Sequence, residues 1–457
     1  MSALPKIVKK YLNQHNVVAH ASNEEFSNKS SWVEVSVLED QLGRLQVFFP
    51  SNKLLDLNKL RQVTGRDLKA ISHKSLKQIL DRAGLASIPA FDALLNLETI
   101  IDESLLKMEL LTLYSGNAGE YFNIRDPRQL KQSSASKILD VCCDIPDKNT
   151  IYENFLDRDE SDINNSLSTF TTLRIQKRLQ ETLEIPPLPE TANAIINLRS
   201  DPDADVDKLS KIVERDPSLS AQVVSWASSS YYSAPGSVRS IQDAIFRVLG
   251  YDLVMNLALG LSLGKTLSMP KDSPEGFKSY WQEAVYSAAM QASLLNLIPR
   301  ELRPPFGMAY LSGLLHNFGN LILSHAFPPH YQQYCRLQEV NPHLTPQQLE
   351  MHLLGINRDQ IAAALLKGWN LPGEVIYGIR YQNAPYYQGV YFDFALLNYI
   401  SISLLKRYGI LPGIPGEISD QMFESLHMDK TQIAETMDRV RESVPELDMI
   451  VKNLSME

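Results

Sequence analysis

Gly313-Leu314-Leu315-His316-Asn317-Phe318-Gly319, followed at once by the apolar residues Leu321-Ile322-Leu323, is the stretch whose reading decides the fold. Two glycines frame a histidine and an amide in a segment that is otherwise small and apolar. Histidine can bind metal or move protons, whereas Asn317 is a neutral amide and a far weaker ligand for a hard cation than a carboxylate. The stretch is either an altered catalytic centre or a packing element that has kept a histidine. Residues elsewhere in the chain must decide.

The chain has 457 residues, enough for two or three domains, and 44% of them are hydrophobic, as in ordinary globular proteins. A net charge of −9 argues against a protein whose main task is to coat nucleic acid. Of three cysteines, Cys142 and Cys143 are adjacent and Cys335 stands alone, which gives neither a zinc half-site of C-x-x-C type nor a disulfide framework. Lys6, Lys9 and Lys10 near the N-terminus are followed by no apolar signal-peptide core. The apolar run from Leu253 to Leu267 holds Asn256 and Lys265 and is too short to span a bilayer. These features predict a cytoplasmic protein with no membrane partner.

Outward from the motif, two regimes of hydrophobic period divide the chain. Leu4, Ile7, Val8, Tyr11 and Leu12 have helical spacing. Val33, Val35 and Val37 then alternate with polar residues, and Leu45-Gln46-Val47-Phe48-Phe49 repeats the pattern after a turn at residues 39–43, predicting a hairpin with one buried face. Residues 53–83 read as two helices ending near Gly65 and Gly84, and strands are expected at 97–101, 108–114 and 120–124. This mixed order predicts one α+β domain over residues 1–143. Residues 144–162 hold seven acidic against two basic residues (Lys148 and Arg158), predicting a solvated acidic linker, placed at 144–172. From 173 to 457 the helical period dominates. Asp216-Pro217 is a strong helix start, Ser240 and Asp252 are expected to cap helices, and Gly250 to end one. The fold class predicted is multi-domain, an N-terminal α+β mixed-sheet domain followed by an all-α domain.

Gly260-Leu261-Ser262-Leu263-Gly264-Lys265-Thr266 imitates a phosphate loop but has three residues between its glycines where four are needed. It lies inside a helical apolar run, so its backbone N–H groups are committed and it is read as core. Five segments in order carry a resemblance that is far more specific. They are Ile185-Pro186-Pro187-Leu188-Pro189, Val213 to Leu219, Ser240 to Ile245 with Leu249-Gly250, Gly313 to Gly319, and Gly368-Trp369-Asn370-Leu371-Pro372. Across about residues 175 to 400 the chain resembles the HDOD family, output domains related to the HD metal-dependent phosphohydrolases. In active HD enzymes a His-Asp pair, an earlier His and a distal Asp bind one or two metal ions that activate water. The resemblance places those roles at His316-Asn317, at Glu283 and near Ser401. Another family histidine falls on Arg358, and a family His pair on Gln382-Asn383 ahead of Pro385. Glu283 and His316 leave too few ligands for a catalytic metal, and a cation at Arg358 would repel one. No metal or cofactor is expected, and His316 is read as a relic inside a packing element. His325, His330 and His343 are read as loop histidines.

The N-terminal region resembles the YbaK-type aminoacyl-tRNA deacylases, small trans-editing domains. The matching segments are the hairpin ending at Phe48-Phe49-Pro50, Leu55 to Leu60, Ile100 to Leu105, and Ser115-Gly116 with Gly119. This resemblance implies that Lys29, just before the first long strand, stands beside the substrate ester. The family's glycine-rich substrate loop is reduced here to Gly84-Leu85-Ala86-Ser87-Ile88-Pro89. Lys53, Lys59, Arg61, Arg66, Lys69, Lys74 and Lys77 belong to a locally basic stretch that could track tRNA phosphates or simply form a charged helix exterior. The expectation is a bacterial regulatory protein whose HDOD domain binds a signalling partner or small ligand, coupled to a tRNA-editing-like domain. The alternative is an aminoacyl-tRNA deacylase regulated by its HDOD domain.

Overall fold

The valine alternation produces two long antiparallel strands, β2 (Val33–Asp40) and β3 (Gly43–Pro50), in the computed structural model of the protein. It describes residues 4–22, 31–146, 156–169, 187–232, 237–267, 270, 273–275 and 278–454. The Asp40 carboxylate accepts from the backbone N–H of Leu42 (2.9 Å) and Gly43 (3.1 Å), and Gly43 supplies the φ of +131° that closes the turn. A five-stranded sheet forms in the order β5-β2-β3-β6-β9, with β5 Lys69–Ala70, β6 Glu98–Asp102 and β9 Lys137–Leu139. β6 is parallel to both β3 and β9. A second sheet joins β1 (His20–Ser22), β8 (Tyr121–Ile124) and β7 (Leu111–Tyr114), and a third pairs β4 (Lys53–Leu55) with β10 (Cys142–Asp144). Helices α1 (Lys6–Gln14), α2 (Leu57–Thr64) and α3 (His73–Ala83) belong to this mixed α+β unit.

Its core gathers Val8, Tyr11, Val33, Phe48, Phe91, Ile101 and Phe122. Asp92 is buried there with no cation paired to it among the described residues. It accepts from the Tyr11 hydroxyl (3.0 Å), the backbone N–H of Gln132 (2.9 Å) and Ser133 (2.7 Å), and the Ser136 hydroxyl (2.7 Å). Four donors on one carboxylate compensate its loss of water. Residues 274–276 and 333–352 also belong to this first unit, beside 1–147. The Asn341 side chain accepts from Leu55 N–H (2.8 Å) and donates to Leu55 C=O (3.1 Å), so it pairs with the free edge of β4 as a neighbouring strand would. His343 donates to the Lys53 carbonyl (3.0 Å), and Ser36 to that of Val340 (2.6 Å). His343 lies in a turn, as expected, with its ring engaged, whereas His325 and His330, expected in loops, lie on the helices Phe318–Ala326 and Pro328–Val340.

The second unit is helical among its described residues. Asp216 caps its helix through Leu219 N–H with Pro217 at the first turn, and Ser240 caps through Asp243 N–H. Asp252 departs from expectation. It lies in the first turn of the helix Tyr251–Gly264 and does not cap it. Instead it accepts from the Gly307 N–H (2.8 Å) at the start of another helix, Phe306–Leu314. The pseudo-phosphate loop is indeed helix: a Cβ at Gly260 would strike Leu314, and one at Gly264 the ring of Trp281. The acidic stretch needs correction, because residues Leu156–Thr169 form a helix and Asp159 is fully buried. Its carboxylate receives Arg380 Nη2 (2.9 Å) and Gln360 Nε2 (3.0 Å). A local charge count predicts solvation, but the compensating partners are more than two hundred residues away.

Candidate functional site

The motif Gly313–Gly319 joins two helices, Phe306–Leu314 and Phe318–Ala326. Its glycines are contact points. A Cβ at Gly313 would lie 3.0 Å from the Ala288 backbone, and one at Gly319 would collide with the carbonyl of Arg358. Gly319 therefore lets the start of the helix Arg358–Gly368 come close, which brings residues 358 and 359 to the motif.

Six of the positions singled out in the sequence meet here. His316 is 7% exposed, and its Nδ1 donates to the Gly313 carbonyl (2.8 Å). Asn317 Nδ2 donates to the Tyr280 carbonyl (3.0 Å) and reaches the Glu283 carboxylate at 3.4 Å. Gln382 Nε2 donates to the His316 carbonyl (2.8 Å) and to Asp359 Oδ1 (2.7 Å), while Asn383 Nδ2 donates to Asp359 Oδ2 (2.7 Å). Each amide faces acceptors with its nitrogen, which fixes its orientation. Ser401 is buried on the helix Phe392–Arg407, and among the described residues its hydroxyl has no hydrogen-bond partner and nothing connects it to the cluster.

Charge explains the arrangement. Burial raises the Glu283 carboxyl above its ordinary range, opposed by Arg358, Lys406 and the Asn317 hydrogen bond. Burial likewise raises Asp359, opposed by Asn383, Gln382 and Arg358. Burial lowers Lys406, opposed chiefly by Glu283. His316 is lowered to about 4 by burial, against its bond to Gly313 and with Lys406 and Arg358 adding to the effect, so it is neutral at pH 7. Two acidic and two basic side chains thus surround an uncharged imidazole. Asp359 and Lys406 are members that sequence reasoning missed. The acid adjoining Arg358 was the available signal for the first of them.

The metal implied by the HD resemblance does not fit these donors. Among the described residues the one group of three His, Cys, Asp or Glu ligands close enough for a metal is Asp56, Cys143 and His352, elsewhere in the chain. At the motif, the Asn317, Gln382 and Asn383 nitrogens point at acceptors, and Arg358 and Lys406 supply the positive charge that a cation would bring.

In the first unit, Lys29 lies outside the described residues. The basic stretch divides. Lys53 pairs with Asp144, Lys59 with Asp140 (3.1 Å), and Arg66 with Asp40 (2.6 Å) and Glu98 (2.9 Å). Arg61, Lys69, Lys74 and Lys77 are exposed. Lys77, with His73, Leu76, Leu80, Asp81, Leu85 and Ala86, lines an open groove of about 350 Å³ beside the Gly84 loop.

Comparison with known proteins agrees with the helical reading. The HDOD domain model matches residues 185–385. The chain is 37% identical to a candidate signal transduction protein from Marinobacter aquaeolei VT8, known from a crystal structure, over 99% of this chain and 100% of that one, with a TM-score of 0.90. It is 25% identical over 206 residues to an uncharacterized protein from Treponema pallidum (strain Nichols), a match taking in 44% of this chain and 38% of that longer one. A candidate trans-editing enzyme for prolyl tRNA synthetase aligns at 16% identity over 31% of this chain and 98% of its own, with a TM-score of 0.27. The chain carries an HDOD domain at residues 185–385. Among the described residues no helix is long and apolar enough to cross a membrane.

Proposed function

We propose that this chain is a regulatory protein whose HDOD domain acts by binding a signalling partner or small ligand and not by metal-dependent hydrolysis. The observation that carries this reading is the hydrogen bonding at the motif, where the side-chain nitrogens of Asn317, Gln382 and Asn383 donate to acceptors, the Asp359 carboxylate among them, in place of metal ligands. A hydrolase of this type needs a cation to lower the pKa of water, and here protein cations stand beside the histidine. The neighbouring crystal structure from Marinobacter aquaeolei VT8, described as a candidate signal transduction protein, supports the regulatory role. The test is turnover of phosphomonoesters, cyclic nucleotides and nucleoside triphosphates with Mg²⁺, Mn²⁺ or Fe²⁺. No hydrolysis above a His316→Ala control is expected; metal-dependent turnover lost in that variant would refute the reading.

A second reading concerns the N-terminal unit, as a tRNA-editing-like module or an active deacylase. The open groove at Gly84 favours it, since the resemblance puts the substrate loop there and Lys77 offers a phosphate contact at its rim. Deacylation of a panel of mischarged tRNAs, lost in Lys29→Ala, is the expected result. No ester turnover with any of them would leave only a binding role.

A further inference from the structure

Three side chains of different chemistry converge in the first unit, remote in sequence from one another. Asp56 ends β4 and caps α2, where its Oδ1 accepts from Asn58 N–H (2.8 Å) and Lys59 N–H (3.3 Å). Cys143 is the central residue of β10 and stands opposite Leu54 in the antiparallel pair. His352 comes from the helix Pro346–Leu354, and its Nδ1 lies 3.8 Å from the Cys143 sulfur. One ligand atom from each residue falls within 4.8 Å of the other two. We propose that Asp56, Cys143 and His352 form a zinc site that staples the helix bearing His352 to the β4–β10 pair, leaving a fourth position for water.

The donor set selects the ion. A thiolate, an imidazole and a carboxylate together suit zinc, which accepts sulfur, nitrogen and oxygen in one tetrahedron. Zn–S near 2.3 Å and Zn–N near 2.1 Å put sulfur and nitrogen about 3.6 Å apart in that geometry. The present separation of 3.8 Å requires a contraction of a few tenths of an ångström. Magnesium and calcium prefer six or more oxygens and have no use for the sulfur.

The surroundings hold the ligands in place without help from the ion. Asn341, His343 and Val340 fix the segment before His352 on β4 and β2 through the bonds described above. The nearest lysines are occupied: Lys53 by Asp144, and Lys59 by Asp140 and the Cys142 carbonyl (2.7 Å). The site thus keeps the negative charge of Asp56 and, once the thiol loses its proton to solvent, of Cys143. Cys142 and Cys335 are buried elsewhere and serve as internal controls.

The test is titration of the full-length, metal-depleted, reduced protein with Co²⁺, followed by displacement with Zn²⁺. One Co²⁺ per chain should give a thiolate-to-cobalt charge-transfer band in the near ultraviolet and the visible bands of a tetrahedral ion. Cys143→Ser should abolish the near-ultraviolet band, and Cys335→Ser should leave it. Asp56→Asn keeps the helix cap, because asparagine caps as well as aspartate, and should weaken Co²⁺ binding at least tenfold. Absence of the band in the native sequence, or its persistence in Cys143→Ser, would overturn the site; unchanged affinity in Asp56→Asn would remove the carboxylate from it. Circular dichroism of each metal-free variant separates lost binding from lost fold.

Discussion

His316→Asn tests whether the histidine of the motif is held uncharged by its surroundings. The unfolded chain has a histidine near pKa 6.5, whereas burial lowers His316 to about 4 in the fold. A depressed folded pKa means that the unfolded state takes up the proton first as pH falls. The stability contributed by the neutral ring is therefore present above about pH 6.5 and is lost as pH falls toward 4. At pH 5 the two values give a roughly thirtyfold difference in proton uptake, or about 2 kcal/mol. For a domain of this size, that corresponds to roughly 4–8 °C in the unfolding midpoint. Glu283 and Asp359 act in the opposite direction, since their raised carboxyls cost least when protonated, so the native protein alone cannot isolate the term. The difference between native protein and His316→Asn can, because the asparagine amide is able to keep the donor to the Gly313 carbonyl. Calorimetry at pH 7, 6 and 5 should show the native midpoint falling faster than that of the variant. Parallel decline in the two proteins would refute the reasoning.

Lys406→Met should raise the pKa of His316, read from its imidazole resonances, because a neighbouring cation is removed. Arg380→Met should cost about 3–5 kcal/mol in denaturant unfolding by leaving the Asp159 carboxylate buried without its ion pair, whereas Asp159→Leu combined with Arg380→Met should cost much less. Gly319→Ala should destabilise the helical unit by about 1–3 kcal/mol, since the new methyl meets backbone at Arg358 and not a yielding side-chain end. A melting midpoint equal to that of the native protein would show that the two helix ends can separate without cost.

Much of the architecture was legible because long elements carry a period. The hairpin at Val33–Asp40 and Gly43–Pro50, the strands near residues 98, 111 and 121, and the helical remainder all followed from alternation or helical spacing. Strands of two or three residues carry no such signal, so β4 and β5 were absorbed into a helical reading of residues 53–83, and β1, β9 and β10 were not anticipated. At the motif, resemblance brought Glu283, His316, Asn317, Arg358, Gln382 and Asn383 to one place, but it tracked ligand positions only. Lys406 stands in for a metal's positive charge instead of for one of its ligands, and no ligand pattern points to it. Part of the apparent basic surface was an artefact of counting nearby residues: Asp140 and Asp144 lie more than eighty residues from the lysines they neutralise.

Asn341 completes the edge of β4 by hydrogen bonding to both backbone groups of Leu55. The N-terminal fold is therefore finished by chain synthesised almost two hundred residues after its last strand. A fragment cut at the acidic stretch would leave that strand edge with an unanswered N–H and C=O, open to pairing with a second molecule. During synthesis the same edge must wait until residue 341 has left the ribosome, so the two halves of the gene cannot be exchanged freely as cassettes even though their secondary structures look separable.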